Sequence, residues 1–159
     1  MMKAVKIFTD GGCLGNPGPG GYAAILTYGD HKKEISGGYK LTTNNRMELM
    51  ACIKGLEALK YPCEVTITSD SKYVVDGISK GWAKNWQKNN WRRSNKEKAE
   101  NIDLWEKLLS LSGYHVTHFV WVRGHDGHEE NERCDQLAKE AATAEYLEID
   151  LGYKEKNSC

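Results

Sequence analysis

The chain has 159 residues, 40% hydrophobic and 28% charged, which suits one compact domain spanning 1–159 that can bury a core without disulfides or a structural metal. A mean hydropathy of -0.64, with no apolar run longer than Tyr22 to Leu26, argues against a membrane span, and Lys3 and Lys6 argue against a signal peptide. A formal net charge of zero hides an asymmetry: residues 80–98 carry seven bases against one acid, whereas from Asp126 onward ten acids face four bases.

In chain order, AVKIFT (4–9), YAAILTY (22–28) and KKEISGGY (32–39) read as strands, the last two joined by a turn at Gly29-Asp30. A helix from about Arg46 to Lys60 follows the capping-prone TTNN and ends before Pro62. EVTITS (64–69) is the fourth strand. Ser71 to about Ser79, Trp82 to Trp91 and Asn101 to Ser112 read as helices, VTHFVWV (116–122) as the fifth strand, and Glu129 to about Tyr146 as the last helix. A polar tail is expected over about 147–159.

This order predicts an α/β fold with a five-stranded mixed sheet, a three-stranded antiparallel meander plus two parallel strands, flanked by helices. Right-handed crossovers make strands 1, 4 and 5 parallel. Asp10 then closes strand 1, Asp70 closes strand 4, His125 follows strand 5 and Glu48 lies in the first turn of the helix starting at that level. Ligands of α/β sheets bind beyond the carboxyl ends of parallel strands. Each acid has a plain structural alternative: Asp70 is a helix-cap candidate, Asn45 to Glu48 spells a capping box, and Asp135 is a favourable charge in the early turns of the last helix if Asn131 caps it. Four converging acids would repel one another without cations, and hard carboxylate oxygens suit Mg²⁺ or Mn²⁺.

The glycine-rich stretch TDGGCLGNPGPGG (9–21) is not a P-loop, because no Gly-Lys follows, nor a dinucleotide loop, because strand rather than helix comes next. Its glycines are expected to let backbone approach something beside Asp10. His125-x-x-His128 with Cys134 lacks the paired ligands of a zinc site. Five scattered cysteines without a C-x-x-C pair suggest reduced thiols and a cytoplasmic protein. The basic block 80–98 suits a polyanionic partner, the alternative being a solvated helix face. Within it Trp82 and Trp86 share one helical face and Lys80, Lys84 and Lys88 the opposite one. Packing onto the body is the expected role of the tryptophans, with Trp86 the exception most suited to touching a ligand.

Together FTDGGCLGNPGPGGYAA, TTNNRMELMA, SDSKYV, NIDLW and WVRGHDGHEENERCDQLA resemble, in this order and over essentially the whole chain, type 1 ribonuclease H of the bacterial kind. The resemblance implies a monomeric endonuclease that cuts the RNA strand of an RNA·DNA hybrid using two divalent metals. It implies that Asp10, Glu48, Asp70 and Asp135 bind metal and that His125 handles protons. Cys13, Asn16, Thr43, Asn44 and Asn45 would touch the hybrid, with Lys72 at a minor-groove position. A basic helical protrusion over about 80–98, with Lys84, Trp86, Lys88, Arg92 and Arg93, would grip the DNA strand. Lys72 stands where the family more usually has glutamine. A DNA-cutting nuclease of the same fold and a non-catalytic hybrid-binding module are the alternatives; the TTNN stretch disfavours the first and the full set of acids the second.

Overall fold

A computed structural model describes residues 2–93, 97–124 and 129–153. The elements are β1 (Ala4–Cys13), β2 (Gly18–Tyr28), β3 (His31–Thr42), α1 (Asn44–Glu57), β4 (Glu64–Ser69), α2 (Lys72–Ser79), α3 (Trp82–Lys88), α4 (Ile102–Tyr114), β5 (Val116–Trp121) and α5 (Glu129–Ala142). The sheet has the order β3-β2-β1-β4-β5, antiparallel across the first three strands and parallel from β1 to β4 to β5, as the sequence predicts.

Alternation along the strands builds two layers. Val5 and Ile7 of β1, Ala24 and Leu26 of β2, and Val65 and Ile67 of β4 face α1 and α4, where Leu49, Ile53, Leu56, Leu104, Trp105 and Leu108 complete the main core. Ala23 and Ile25, on the opposite face of β2, pack with Phe8 against Cys134 and Ala138 of α5. A strand buried on both faces needs a continuous apolar run, which is what YAAIL supplies.

Differences from the predicted boundaries concentrate where the chain is rich in glycine and hydroxyls. The glycine stretch is mostly strand: β1 continues to Cys13, β2 begins at Gly18, and Gly11, Gly12 and Cys13 pair with Tyr22, Gly21 and Gly20. Asp10 therefore lies within β1 rather than at its end. It still reaches the sheet edge, because pairing with β4 stops at Phe8 with Thr68. At Gly11 a Cβ would collide with the Met47 carbonyl group of α1, and at Gly21 with the Ala138 carbonyl of α5. The missing side chains are what let both helices sit against the sheet.

The described part of the tail, through Tyr153, is partly docked. Tyr39 bridges Glu148 in parallel; the Lys40 amide donates to the Glu148 carbonyl at 2.8 Å and the Glu148 amide to the Gly38 carbonyl at 3.1 Å. Asp150 is buried, so residues through Tyr153 are docked at least in part, and the last helix stops at Ala142 instead of Tyr146.

Candidate active site

Two hydroxyls free two carboxylates. Thr43, in extended conformation, caps α1 by accepting from the Arg46 amide at 3.2 Å, two residues before the expected capping box begins. Glu48 thus falls in the second turn, relieved of any capping role, and turns inward. Ser71 caps α2 in the same way, accepting from the Val74 amide at 3.3 Å, so Asp70 is not the cap either.

Both released acids meet Asp10. Asp10, Glu48 and Asp70 each offer a carboxylate oxygen, and the three oxygens lie within 4.8 Å of one another. Burial, then the charge of Asp70, pushes Asp10 up to about 7 from its ordinary 3.8, while the Gly11 amide donating at 2.9 Å pulls the other way. Glu48 is 7% exposed and pushed well above the usual carboxylate range by burial first and by Asp10 next. Glu48 Oε1 is buried with no hydrogen-bond partner. An orphaned buried acceptor among crowded acids fits a divalent cation, which would supply the missing positive charge.

Asp135 stands beside this group, not within it. It is half-buried, pairs with Lys139 at 3.0 Å one turn along α5, and lines with Asp10 a cavity of about 130 Å³. The expected Asn131 cap is not formed, since α5 already begins at Glu129. His125 and His128 lie outside the described residues. Gly124, just before them, sits where a Cβ would come to 3.0 Å from Asp70 Oδ2.

The expected hybrid-contacting residues are tied together at one edge. The Asn44 amide donates to Asn16 Oδ1 at 3.1 Å and the Cys13 amide to Asn44 Oδ1 at 2.8 Å. Asn16, Thr43 and Asn45 line a groove of about 1070 Å³ that runs on to Lys98 and Asn101. The protrusion is more compact than a free basic helix. Trp86 is half-buried, edge-on to Trp105 at 6.0 Å, so the exposed member of the pair is Trp82. Lys84 and Lys88 are exposed, whereas Arg93 pairs with Glu97 at 2.8 Å.

One arrangement was not legible from the sequence. The Arg46 guanidinium, 2% exposed, is held bidentately by Asp150 at 2.8 and 3.0 Å and by Asp103 at 2.9 and 2.7 Å, and the Thr42 hydroxyl donates to Asp150 at 2.6 Å. This cluster fastens the docked tail and the start of α4 to the start of α1. No local pattern signals it, since Tyr146, Ile149 and Leu151 around Asp150 are exposed.

Comparisons with known proteins agree with this fold. Residues 2–143 match the RNase H family. The chain is 62% identical over 152 residues, 96% of its length and 88% of the relative's, to a ribonuclease H from Syntrophus aciditrophicus. It is similar to the crystal structure of LC9-RNase H1, a type 1 RNase H with the type 2 active-site motif, at a TM-score of 0.80 and 32% identity, covering 89% of this chain and 73% of that one. LC11-RNase H1, solved in complex with an RNA/DNA hybrid, matches at 0.67 and 27% identity, with 87% and 96% covered. With curated relatives of that name aligned along nearly all of its length, and three of the expected acids gathered at one sheet edge, the chain belongs to the ribonuclease H family.

Proposed function

We propose that the chain is an endonuclease that hydrolyses the RNA strand of an RNA·DNA hybrid at the Asp10, Glu48 and Asp70 cluster, leaving 5′-phosphate and 3′-hydroxyl ends. The observation that carries this is the crowding of three carboxylates within 4.8 Å, with one buried Glu48 oxygen left unsatisfied. Asp10, Glu48 and Asp70, with Asp135 beside them, would hold two divalent cations, Mg²⁺ or Mn²⁺. Such ions, when bound, supply activation of the attacking water and stabilisation of the leaving 3′ oxygen in an in-line displacement.

The chain's own residues do the rest. Asn16, Thr43, Asn44, Asn45 and the backbone around Cys13 bind and orient the hybrid at the start of α1. Glu48, as a metal ligand, would also contact a 2′-hydroxyl and so support the choice of RNA over DNA at the cut. His125 passes a proton between solvent and the reacting oxygens, a role suited to an imidazole that titrates near neutrality. Lys84, Lys88, Arg92 and Arg93 hold the DNA strand's phosphates, with Trp86 serving mainly to seat the segment. The chain acts as a cytoplasmic monomer; among the described residues no helix is long and apolar enough to cross a membrane.

Incubation of an end-labelled RNA·DNA hybrid with and without Mg²⁺, beside single-stranded RNA and duplex DNA, tests the reading. Mg²⁺-dependent internal cuts confined to the RNA of the hybrid are expected. Equal cutting of duplex DNA would replace it with a DNA nuclease of the same fold.

A further inference from the structure

Beside the acids lies a cation whose position is fixed by an aromatic ring. Ser71 caps α2, so Lys72 is its first helical residue, two places after Asp70. Parallel pairing sets Ser69 of β4 opposite Trp121, the last residue of β5, and the Val122 amide donates to the Ser69 carbonyl at 3.0 Å. The Trp121 indole N–H donates to the Asp70 carbonyl at 3.0 Å, which fixes the ring at the rim of the site. Lys72 Nζ lies over that ring, 4.7 Å from its centroid.

Each part has a physical consequence. A lysine on a flexible four-carbon stem sweeps a wide volume unless something holds it, and the face of an indole attracts an ammonium. Three crowded carboxylates next door repel an incoming phosphodiester, so a cation held beside them offsets that repulsion where the strand must pass. Glutamine, the residue more usual at this position in the family, carries no charge for the ring to hold.

We propose that Trp121 is a positioning residue that holds the Lys72 ammonium as a fixed contact for a backbone phosphate of the strand entering the acid cluster. This rests on the hybrid-cleavage reading above. Lys72 is the contacting group; Trp121 acts through it.

The test is the salt dependence of kcat/KM on an RNA·DNA hybrid at saturating Mg²⁺, measured with the full chain between about 50 and 200 mM KCl. Lys72→Gln lowers the slope of log(kcat/KM) against log salt by roughly 0.7 to 0.9, the signature of one phosphate no longer neutralised. Trp121→Leu raises KM about 2- to 5-fold, the strength of an exposed cation–π contact, and affects kcat less. Trp121→Phe, which keeps a ring face but not the N–H, stays closer to the parent enzyme than Trp121→Leu does. Combining Lys72→Gln with Trp121→Leu adds little to Lys72→Gln alone. An unchanged slope in Lys72→Gln overturns the proposal. So does Trp121→Phe being as damaged as Trp121→Leu, which would assign the effect to the bond with Asp70. If Trp121→Leu fails to fold by circular dichroism, the Lys72→Gln slope and the Trp121→Phe kinetics still decide. Failure of the parent chain to cut hybrid would instead sink the reading on which the proposal rests.

Discussion

Within three residues of helix, α1 presents two groups of acids that have been settled in opposite ways. At Arg46, two aspartates from distant parts of the chain share one buried guanidinium, and the bonds to Arg46 and Thr42 hold Asp150 below its ordinary range despite burial. At Glu48, three acids share no such internal partner among the hydrogen bonds and ion pairs of the described residues; burial and their mutual charge drive Asp10 up to about 7. The lesson is that a carboxylate group does not mark a site by its charge. A satisfied group is structure, whereas an unsatisfied one held in place by the fold calls for a ligand.

The largest effect that tests this contrast is at Asp10. Asp10→Asn is expected to leave no measurable hybrid cleavage while making the metal-free protein more stable, since it removes a buried charge from among repelling neighbours. The sign follows from the raised value: Asp10 binds its proton more tightly in the folded chain, so it favours folding below about 3.8 and loses that contribution as pH rises through about 7. The gain of the variant over the parent should thus be absent near pH 4 and reach roughly 2–4 kcal/mol above pH 7. Thermal melts in chelator across that range check it, and a large loss of stability at pH 8 would make Asp10 structural.

The other group should behave in reverse. Asp150→Ala is expected to cost about 3 kcal/mol, the lower end for breaking a buried pair because Arg46 keeps Asp103, and to leave kcat near the parent value at a permissive temperature. In the parent chain, the lowered Asp150 contributes stability above its ordinary 3.8 that is lost as pH falls through its still lower folded value, the opposite direction to Asp10. Denaturant melts at pH 3 and pH 7 separate the two slopes; parallel slopes would erase the contrast.

A smaller change separates holding from proton handling. His125→Ala should lower kcat roughly 10²-fold with hybrid binding retained, and His128→Ala much less. Full turnover in His125→Ala, seen in steady-state kinetics at several pH values, would put the proton on another group. The smallest effect belongs to the protrusion, where changing Lys84 and Lys88 together to alanine should raise KM modestly and lower the salt slope by about 0.7 to 0.9 for each phosphate that these lysines neutralise. An intact slope would leave them as a solvated face.

How legible was all this in the sequence? The strand order and the convergence of Asp10, Glu48 and Asp70 follow from apolar periodicity and handedness, because both depend on backbone geometry that every residue shares. Cap assignments did not follow. Thr43 and Ser71 compete locally with Asn45 and Asp70 for the same orphan amides, and only the tertiary pull on Glu48 and Asp70 decides between them. The Arg46 cluster was hidden for a related reason: Asp103 and Asp150 are 57 and 104 residues away from their guanidinium, a pairing no local pattern encodes. Trp86 and Trp82 exchanged their expected exposures because Trp86 packs edge-on to the buried Trp105 of α4, a tertiary contact that the spacing on one helix does not encode.

The closeness of α1 to β1 at Gly11 has a thermodynamic corollary. Asp10, Glu48 and Asp70 come from β1, α1 and the residue after β4; β1 and β4 are hydrogen-bonded neighbours, whereas α1 is held to them by packing, so a cation bound by all three would be a removable staple between α1 and the sheet. Bound to the docked state and not the undocked one, it would oppose every opening in which α1 lifts from the sheet, by RT ln(1 + [L]/Kd). Added Mg²⁺ should slow hydrogen exchange at the amides of α1 whose release requires that opening, and chelation should restore it. Occupancy of the site and integrity of this corner of the core would then be one equilibrium, read from either side.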